Sequence, residues 1–460
     1  MRKSTYIREK TTDKKEYRQM RDQNNKLHRF LALMLVMSVA LTCACSKKKD
    51  SSEKESSTES EETTTKTQES ASETSETTPS SETSESTIES TTESTTDTSA
   101  TDSSDTSDTS STPAQSVPST FDKSKADSYL SSIKFDGVVL VYENGQIVYT
   151  HEAGMADRDK DIPNTMDTVF ELGSITKQFT AVAIMQLVEQ NKLSLDDTLD
   201  KYIPEYKYAK DITIHQLLNM TSGVPDYLYC GVLGFTMDDL KNFSLSSFLS
   251  LQSMLGEVAT TPMEKDDLVK RISEYSLNFT PGTKLEYSNT NYYFLGMIIE
   301  QLSGLSYEDY IHRNILDPLG LTELYPDTRH LTSNGRTDFT LFHFDFPHQH
   351  ETLSYAVGVM TGTAEGLLEW EKKVMERPLL TEESWNKIFD RGEFGYGYGW
   401  YIWDGYIEHS GMTLGYNTTV RVDPDSGKVI IVLCNIQTFA ATPERPLAAD
   451  VGAELWSYFG

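Results

Sequence analysis

Ser174 and Lys177 stand three residues apart in the stretch ELGSITKQFTA. On a helical turn that spacing puts both side chains on one face, where they can meet. A serine hydroxyl is a poor nucleophile until a neighbour accepts its proton, and a lysine can do so once burial lowers its proton affinity toward neutrality. A helix start adds backbone donors that favour a developing oxyanion. The pair therefore predicts acyl transfer through Ser174, activated by Lys177. Spacing alone has little weight, because it recurs at Ser46/Lys49, Ser51/Lys54, Ser131/Lys134 and Ser384/Lys387. Context separates Ser174, which sits between a Phe-Glu-Leu-Gly approach and an apolar run.

Two further groups bear on the same chemistry. Tyr287-Ser288-Asn289, inside PGTKLEYSNTNYYFLG, sets a phenol that can relay a proton beside an amide that can hold a substrate carbonyl. The same Tyr-x-Asn pattern at Tyr142-Glu143-Asn144 falls on a hairpin turn. His409-Ser410-Gly411, in IEHSGMTLGYN, is the one His-x-Gly of the chain. A glycine there would let substrate lie against a strand edge, with His409 and Ser410 beside it.

These three groups, in this order, resemble the motifs S-x-x-K, Y-x-N and K-T-G or H-x-G of the β-lactamase and penicillin-binding-protein superfamily. The resemblance runs over roughly residues 135–435. It is closest to the branch of class C β-lactamases, D-alanyl-D-alanine carboxypeptidases and related esterases. It implies Ser174 as nucleophile, Lys177 as activator, Tyr287 as shared acid and base, and Asn289 against the substrate amide. His409 would line the carboxylate side, and the N–H groups of Ser174 and Met412 would hold the oxyanion. His-Ser-Gly in place of the Lys-Thr-Gly usual in class C β-lactamases shifts weight toward carboxypeptidase-like or esterase-like members. Met220 stands where many relatives have a histidine. The expected activity is a serine hydrolase acting on a D-Ala-D-Ala-like peptide or an ester bond. The alternatives are a β-lactamase proper, or a catalytically silent surface-displayed binding protein on the same scaffold. No cofactor or metal is called for; His343, His348 and His350 read as loop and surface, without the carboxylate pattern a metal site would add.

The elements that must position these residues can be placed in outline. Residues 137–149 read as two strands joined at Asn144-Gly145, a strong hairpin signal. Residues 174–193 read as a buried helix, residues 292–302 and 364–375 as further helices. Strand patterns return at residues 398–403, 417–422 and 429–435, and residues 446–458 close as a helix. The predicted fold class is α/β (α+β), β-lactamase/transpeptidase-like: an antiparallel sheet built from both ends of the domain, with helices packed on it and a largely helical insertion. The Trp and Tyr residues of GYGYGW read as sheet and core.

The remaining chain has a different composition. Residues 1–45 read as an export signal: a basic head, the uncharged run FLALMLVMSVALT and small residues after it. Cys45 resembles the lipidated cysteine of a bacterial lipobox, with Cys43 the poorer match. Residues 46–119 are almost entirely Ser, Thr, Glu and Asp, with 17 acidic residues and two lysines from Asp50 to Ser119. Such a segment cannot bury enough apolar surface to offset its ordering entropy, so it reads as a disordered tether. Residues 120–460 form the hydrolase domain. The formal net charge of −29 argues against nucleic acid as a partner. The expected partners are a small-molecule or peptide substrate, peptidoglycan-derived among the candidates, and the outer face of a bacterial membrane through the N-terminal lipid, with secretion or an uncleaved N-terminal anchor as the alternatives. Cys230 and Cys434 read as small buried hydrophobes, with a pairing left open.

Overall fold

The computed structural model describes residues 118–228, 261–339, 342–344, 349–438 and 441–460. The expected export signal, Cys45, most of the linker, Cys230 and His348 lie outside the described residues. No helix among the described residues is long and apolar enough to cross a membrane.

Strands β1 (Gly137–Glu143) and β2 (Gln146–Ala153) form the expected hairpin. Asn144 and Gly145 at its tip have φ of 54° and 81°, the left-handed pair that a type I′ turn requires. Four late strands join them: β3 (Tyr401–Trp403), β4 (Tyr406–Thr413), β5 (Tyr416–Asp423) and β6 (Lys428–Cys434). The sheet order is β3-β4-β5-β6-β1-β2, with every neighbouring pair antiparallel. The seam between chain ends runs down its middle, where Val139 faces Val432 and Leu140 faces Ile431.

Both faces of this seam are buried, which explains its near-continuous Val/Ile/Leu sequence. Val139, Val141, Ile430 and Val432 share a core with Ala126 and Leu130 of α1 (Lys123–Ser132) and Val451 and Leu455 of the closing helix. Val138, Leu140, Ile431 and Leu433 belong to the larger core on the opposite face. The alternation follows from the two-residue period of a strand. Each fully buried aliphatic side chain of this kind stabilises by about 1.5–3 kcal/mol.

The larger core surrounds α2 (Thr176–Glu189), of which every residue from Thr176 to Leu187 is buried. Helix α3 (Asn289–Ser303), α4 (Glu351–Gly358) and α5 (Ala364–Glu376) pack around it and the sheet. Trp370 of α5 stacks on Phe179 of α2 at 4.1 Å. The closing helix is α6 (Ala448–Trp456). Helix α2 is shorter than the expected 174–193: Ser174 lies in a 3-10 turn, Gly173–Ile175, ahead of it, and Asn191 beyond its end turns left-handed at φ 54°. Residues 398–400, expected in a strand, form a turn instead. A side chain at Gly399 would lie 2.8 Å from the Lys177 carbonyl, so the GYGYGW segment packs directly on α2. Tyr396, Tyr398 and Trp400 are core residues, as expected.

Candidate active site

Ser174 is half-buried at the start of α2, and the turn that carries it is clamped from both sides. Thr418 Oγ1 of β5 donates to the Leu172 carbonyl at 2.9 Å, while Thr176 Oγ1 donates to Gly173 O at 2.7 Å and accepts from Met360 N at 3.0 Å. Gly173 has φ +56°, and a Cβ there would lie 2.8 Å from Met412 N. Only glycine combines that conformation with so close an approach of β4. The Met412 amide thereby stands beside the residue that precedes Ser174.

Lys177 is fully buried, and its Nζ lies 2.9 Å from Ser174 Oγ, 2.9 Å from Asn289 Oδ1 and 3.0 Å from the Val357 carbonyl. An ammonium would donate to all three. A neutral amine would keep two of these bonds and accept the Ser174 proton through its lone pair. Burial lowers the lysine pKa to about 7, with the Asp226 carboxylate opposing the shift. Both forms are therefore populated near neutrality, which suits a general base.

Tyr287 has a half-buried ring and a buried hydroxyl that faces the Ser174 side chain, and Lys177 Nζ lies 5.0 Å from its ring centroid. Burial raises its pKa well above 10. The phenol thus keeps its proton in the resting site, and of the two groups Lys177 is the one fitted to take the proton from Ser174. Asn289, the first residue of α3, does not present a free amide. Its Oδ1 is taken by Lys177, and its Nδ2 donates to Asp226 Oδ2 at 2.9 Å. The amide bridges Lys177 and Asp226, where the sequence suggested contact with substrate.

His409 is also arranged differently from expectation. Its ring is buried, accepts from the Tyr396 hydroxyl at Nε2 (3.1 Å) and donates from Nδ1 to Ser410 O at 2.8 Å. This tautomer follows from the bonds available. Burial first, and Lys177 second, lower its pKa to about 3, so the ring is neutral at physiological pH and offers no charge to a carboxylate. It packs instead against Tyr287, with ring centroids 6.1 Å apart. Ser410 Oγ is bonded to Thr419 Oγ1 at 2.9 Å.

The space a side chain at Gly411 would fill holds the chain's own Leu172 carbonyl, 1.9 Å from an added Cβ, while β3 pairs with β4 only as far as Glu408. The glycine allows β4 to reach the turn that carries Ser174. Gly411→Ala is therefore expected to push β4 off Leu172, costing about 1–3 kcal/mol. A thermal melt and the rate of Ser174 labelling, measured together, check this; a parent-like value in both would sink the assignment.

Asp226 was missed in the sequence, although it lies in the quoted stretch LLNMTSGVPDY. Nothing in its local pattern shows that the fold will lay it against Asn289, 63 residues later. Tyr396 was likewise placed only as core. Met220 is buried with φ 62°, and its Sδ accepts from Asn291 Nδ2 at 3.2 Å, behind the site. His350 caps the start of α4, accepting from Thr352 N, in keeping with the loop expectation. Cys434 is a free, buried thiol. Among the described residues no group of His, Cys, Asp and Glu is arranged to hold a metal ion.

A family model described as Beta-lactamase matches residues 127–453, most of the chain, and the protein belongs to that family. The chain is 28% identical over 333 residues to the putative penicillin-binding protein PbpX of Bacillus subtilis, covering 70% of this chain and 76% of that protein. Among solved structures, a penicillin-binding protein from Bacillus halodurans superposes with a TM-score of 0.58 at 25% identity, covering 73% of this chain and 99% of that one. A D-stereospecific amidohydrolase from Streptomyces shares the fold, with a TM-score of 0.59 at 22% identity over 72% of this chain and 98% of that one. The β-lactamase and penicillin-binding-protein scaffold expected from the three motifs is thus the one the chain adopts.

Proposed function

We propose that the protein is a serine hydrolase that passes an acyl group through a covalent ester on Ser174, taking amide, peptide or ester substrates. The observation that carries this reading is the 2.9 Å contact between Ser174 Oγ and the buried amine of Lys177, whose pKa sits at about 7. Ser174 Oγ attacks the substrate carbonyl carbon as its proton passes to Lys177 Nζ. The carbonyl π electrons move onto oxygen, and the backbone N–H groups of Ser174 and Met412 receive that oxyanion. As the oxyanion collapses, the bond to the leaving amine or alcohol breaks. The leaving atom takes a proton from the Tyr287 hydroxyl, and Lys177 returns its proton to Tyr287. Water then repeats the sequence on the ester, releasing the acid and regenerating Ser174.

Neutral, buried His409 bears on substrate choice. Recognition of a free C-terminal carboxylate gains most from a cation, and the ring supplies none. Within the proposed class the reading therefore favours amides and esters over peptides with a free C-terminal carboxylate. The test is a panel of a p-nitrophenyl ester, a D-amino acid amide, nitrocefin and a D-Ala-D-Ala peptide in free and amidated forms, with an acyl adduct on Ser174 sought by mass spectrometry. Turnover of the ester or amides, and an amidated peptide cleaved at least as fast as the free acid, is expected. A panel inert throughout would leave the silent binding protein as the better account, and a strong preference for the free acid would overturn the His409 argument.

A further inference from the structure

Asp226 is distant from the three motifs in sequence, yet it closes the hydrogen-bond circuit around the reacting pair. Its Oδ2 accepts from Asn289 N at 2.8 Å and from Asn289 Nδ2 at 2.9 Å, and its Oδ1 accepts from Leu228 N at 2.8 Å. A carboxylate that accepts three N–H bonds uses its oxygens as acceptors throughout. Burial raises its pKa, while these donors and Lys177 pull the other way. The Asn289 amide has a donor end and an acceptor end, so a partner on one end dictates what the other end faces. With Nδ2 committed to Asp226, Oδ1 is turned to Lys177 Nζ. A flipped amide would set an NH2 group against the lysine, donor against donor.

We propose that Asp226 is a positioning residue: its carboxylate fixes the Asn289 amide with the carbonyl toward Lys177, holding that lysine on Ser174 with a counter-charge nearby. The inference rests on the reading of Ser174 and Lys177 as the reacting pair. Among the described residues, the other groups that face Lys177 supply no such charge. Ser174 and the Val357 carbonyl are neutral acceptors. Tyr287 and Tyr292, beneath the amine at 5.0 and 5.8 Å, stay protonated because burial holds their pKa values well above 10. His409 is neutral. Asp226 is therefore the group whose removal changes the field at Lys177 without touching Ser174.

The sign of the effect follows. A nearby anion favours the ammonium, so removing it lets Lys177 lose its proton at lower pH. The experiment measures the rate of Ser174 labelling by a fluorophosphonate from pH 5 to pH 9 in the full chain, for the parent, Asp226→Asn, Asp226→Glu and Ser174→Ala. Asp226→Asn is expected to move the acid limb of the profile about one pH unit toward acid. Its plateau should fall about tenfold or more as the amide loses its fixed orientation. Asp226→Glu keeps the charge and lengthens the arm, so it should keep the parent limb and lower the plateau. A folded Asp226→Asn chain with the parent's limb overturns the proposal. Should that variant fail to fold, the Glu variant decides, and a parent-like plateau in it overturns the proposal. Labelling that survives Ser174→Ala is a separate failure, of the underlying assignment of the nucleophile.

Discussion

Ser174→Ala is expected to abolish covalent labelling and to lower turnover by about four to six orders of magnitude, with the melting temperature little changed. The size follows from the route: without the hydroxyl no ester forms, and what remains is binding and oxyanion stabilisation acting on water. Neighbouring hydroxyls offer no substitute. Ser288 is buried with its Oγ outside any hydrogen bond, and Ser410 is committed to Thr419. Removing one half-buried hydroxyl from a turn held by Thr176 and Thr418 leaves those clamps in place. Labelling by a fluorophosphonate or a fluorescent β-lactam, followed by peptide mapping, checks the result. A variant that still labels at the parent rate would remove Ser174 as the nucleophile.

Replacing Lys177 should be nearly as damaging. Lys177→Met removes the base, and Lys177→Arg keeps a cation that cannot be deprotonated in the working range. Both are expected to lower acylation by about three orders of magnitude and to lack the acid limb expected of the parent near pH 7. The same lysine makes a stability prediction of known sign. Its pKa falls from 10.5 in the unfolded chain to about 7 in the fold, so the folded state binds fewer protons between those values. Below pH 10.5 the unfolded chain is favoured increasingly until pH 7, where the penalty levels off. The stability of Lys177→Met relative to the parent should therefore improve as pH drops from 10 to 7, by on the order of 4 kcal/mol. Urea titrations at both pH values measure it, and a pH-independent difference would mean that the buried lysine remains charged throughout.

Much of this site could be read from residue types and order. Ser174, Lys177 and Tyr287 come together as their motifs imply, because the apolar run behind Ser174 dictates a helix buried on all sides and a glycine must precede it. The hairpin at Asn144-Gly145 and the seam of strands from both chain ends were equally legible, since period-two patterning and turn chemistry are local properties. Decoys illustrate where local information ends. Ser384 and Lys387 lie on one short helix, but Lys387 pairs with Glu383 at the surface; Lys134 is exposed and pairs with Glu444. No serine in those pairs meets a desolvated amine, and burial is decided by what packs from elsewhere.

The same logic separates what local sequence could not show. His409 was expected to face substrate, and the fold wraps it with Tyr287, Tyr396 and Tyr401 until it is neutral. At Gly411 nothing in the local sequence signalled the close approach of the Leu172 carbonyl. Asp226 carried no signal in its own neighbourhood, because its partner Asn289 arrives from another element. By themselves the types and order of Ser174, Lys177 and Tyr287 pointed to the proposed chemistry, since reactivity follows from side-chain type and from the motifs around it. The tertiary structure alone decided their charge states and orientation, because desolvation and hydrogen-bond direction depend on side chains that meet Lys177 from three different parts of the chain.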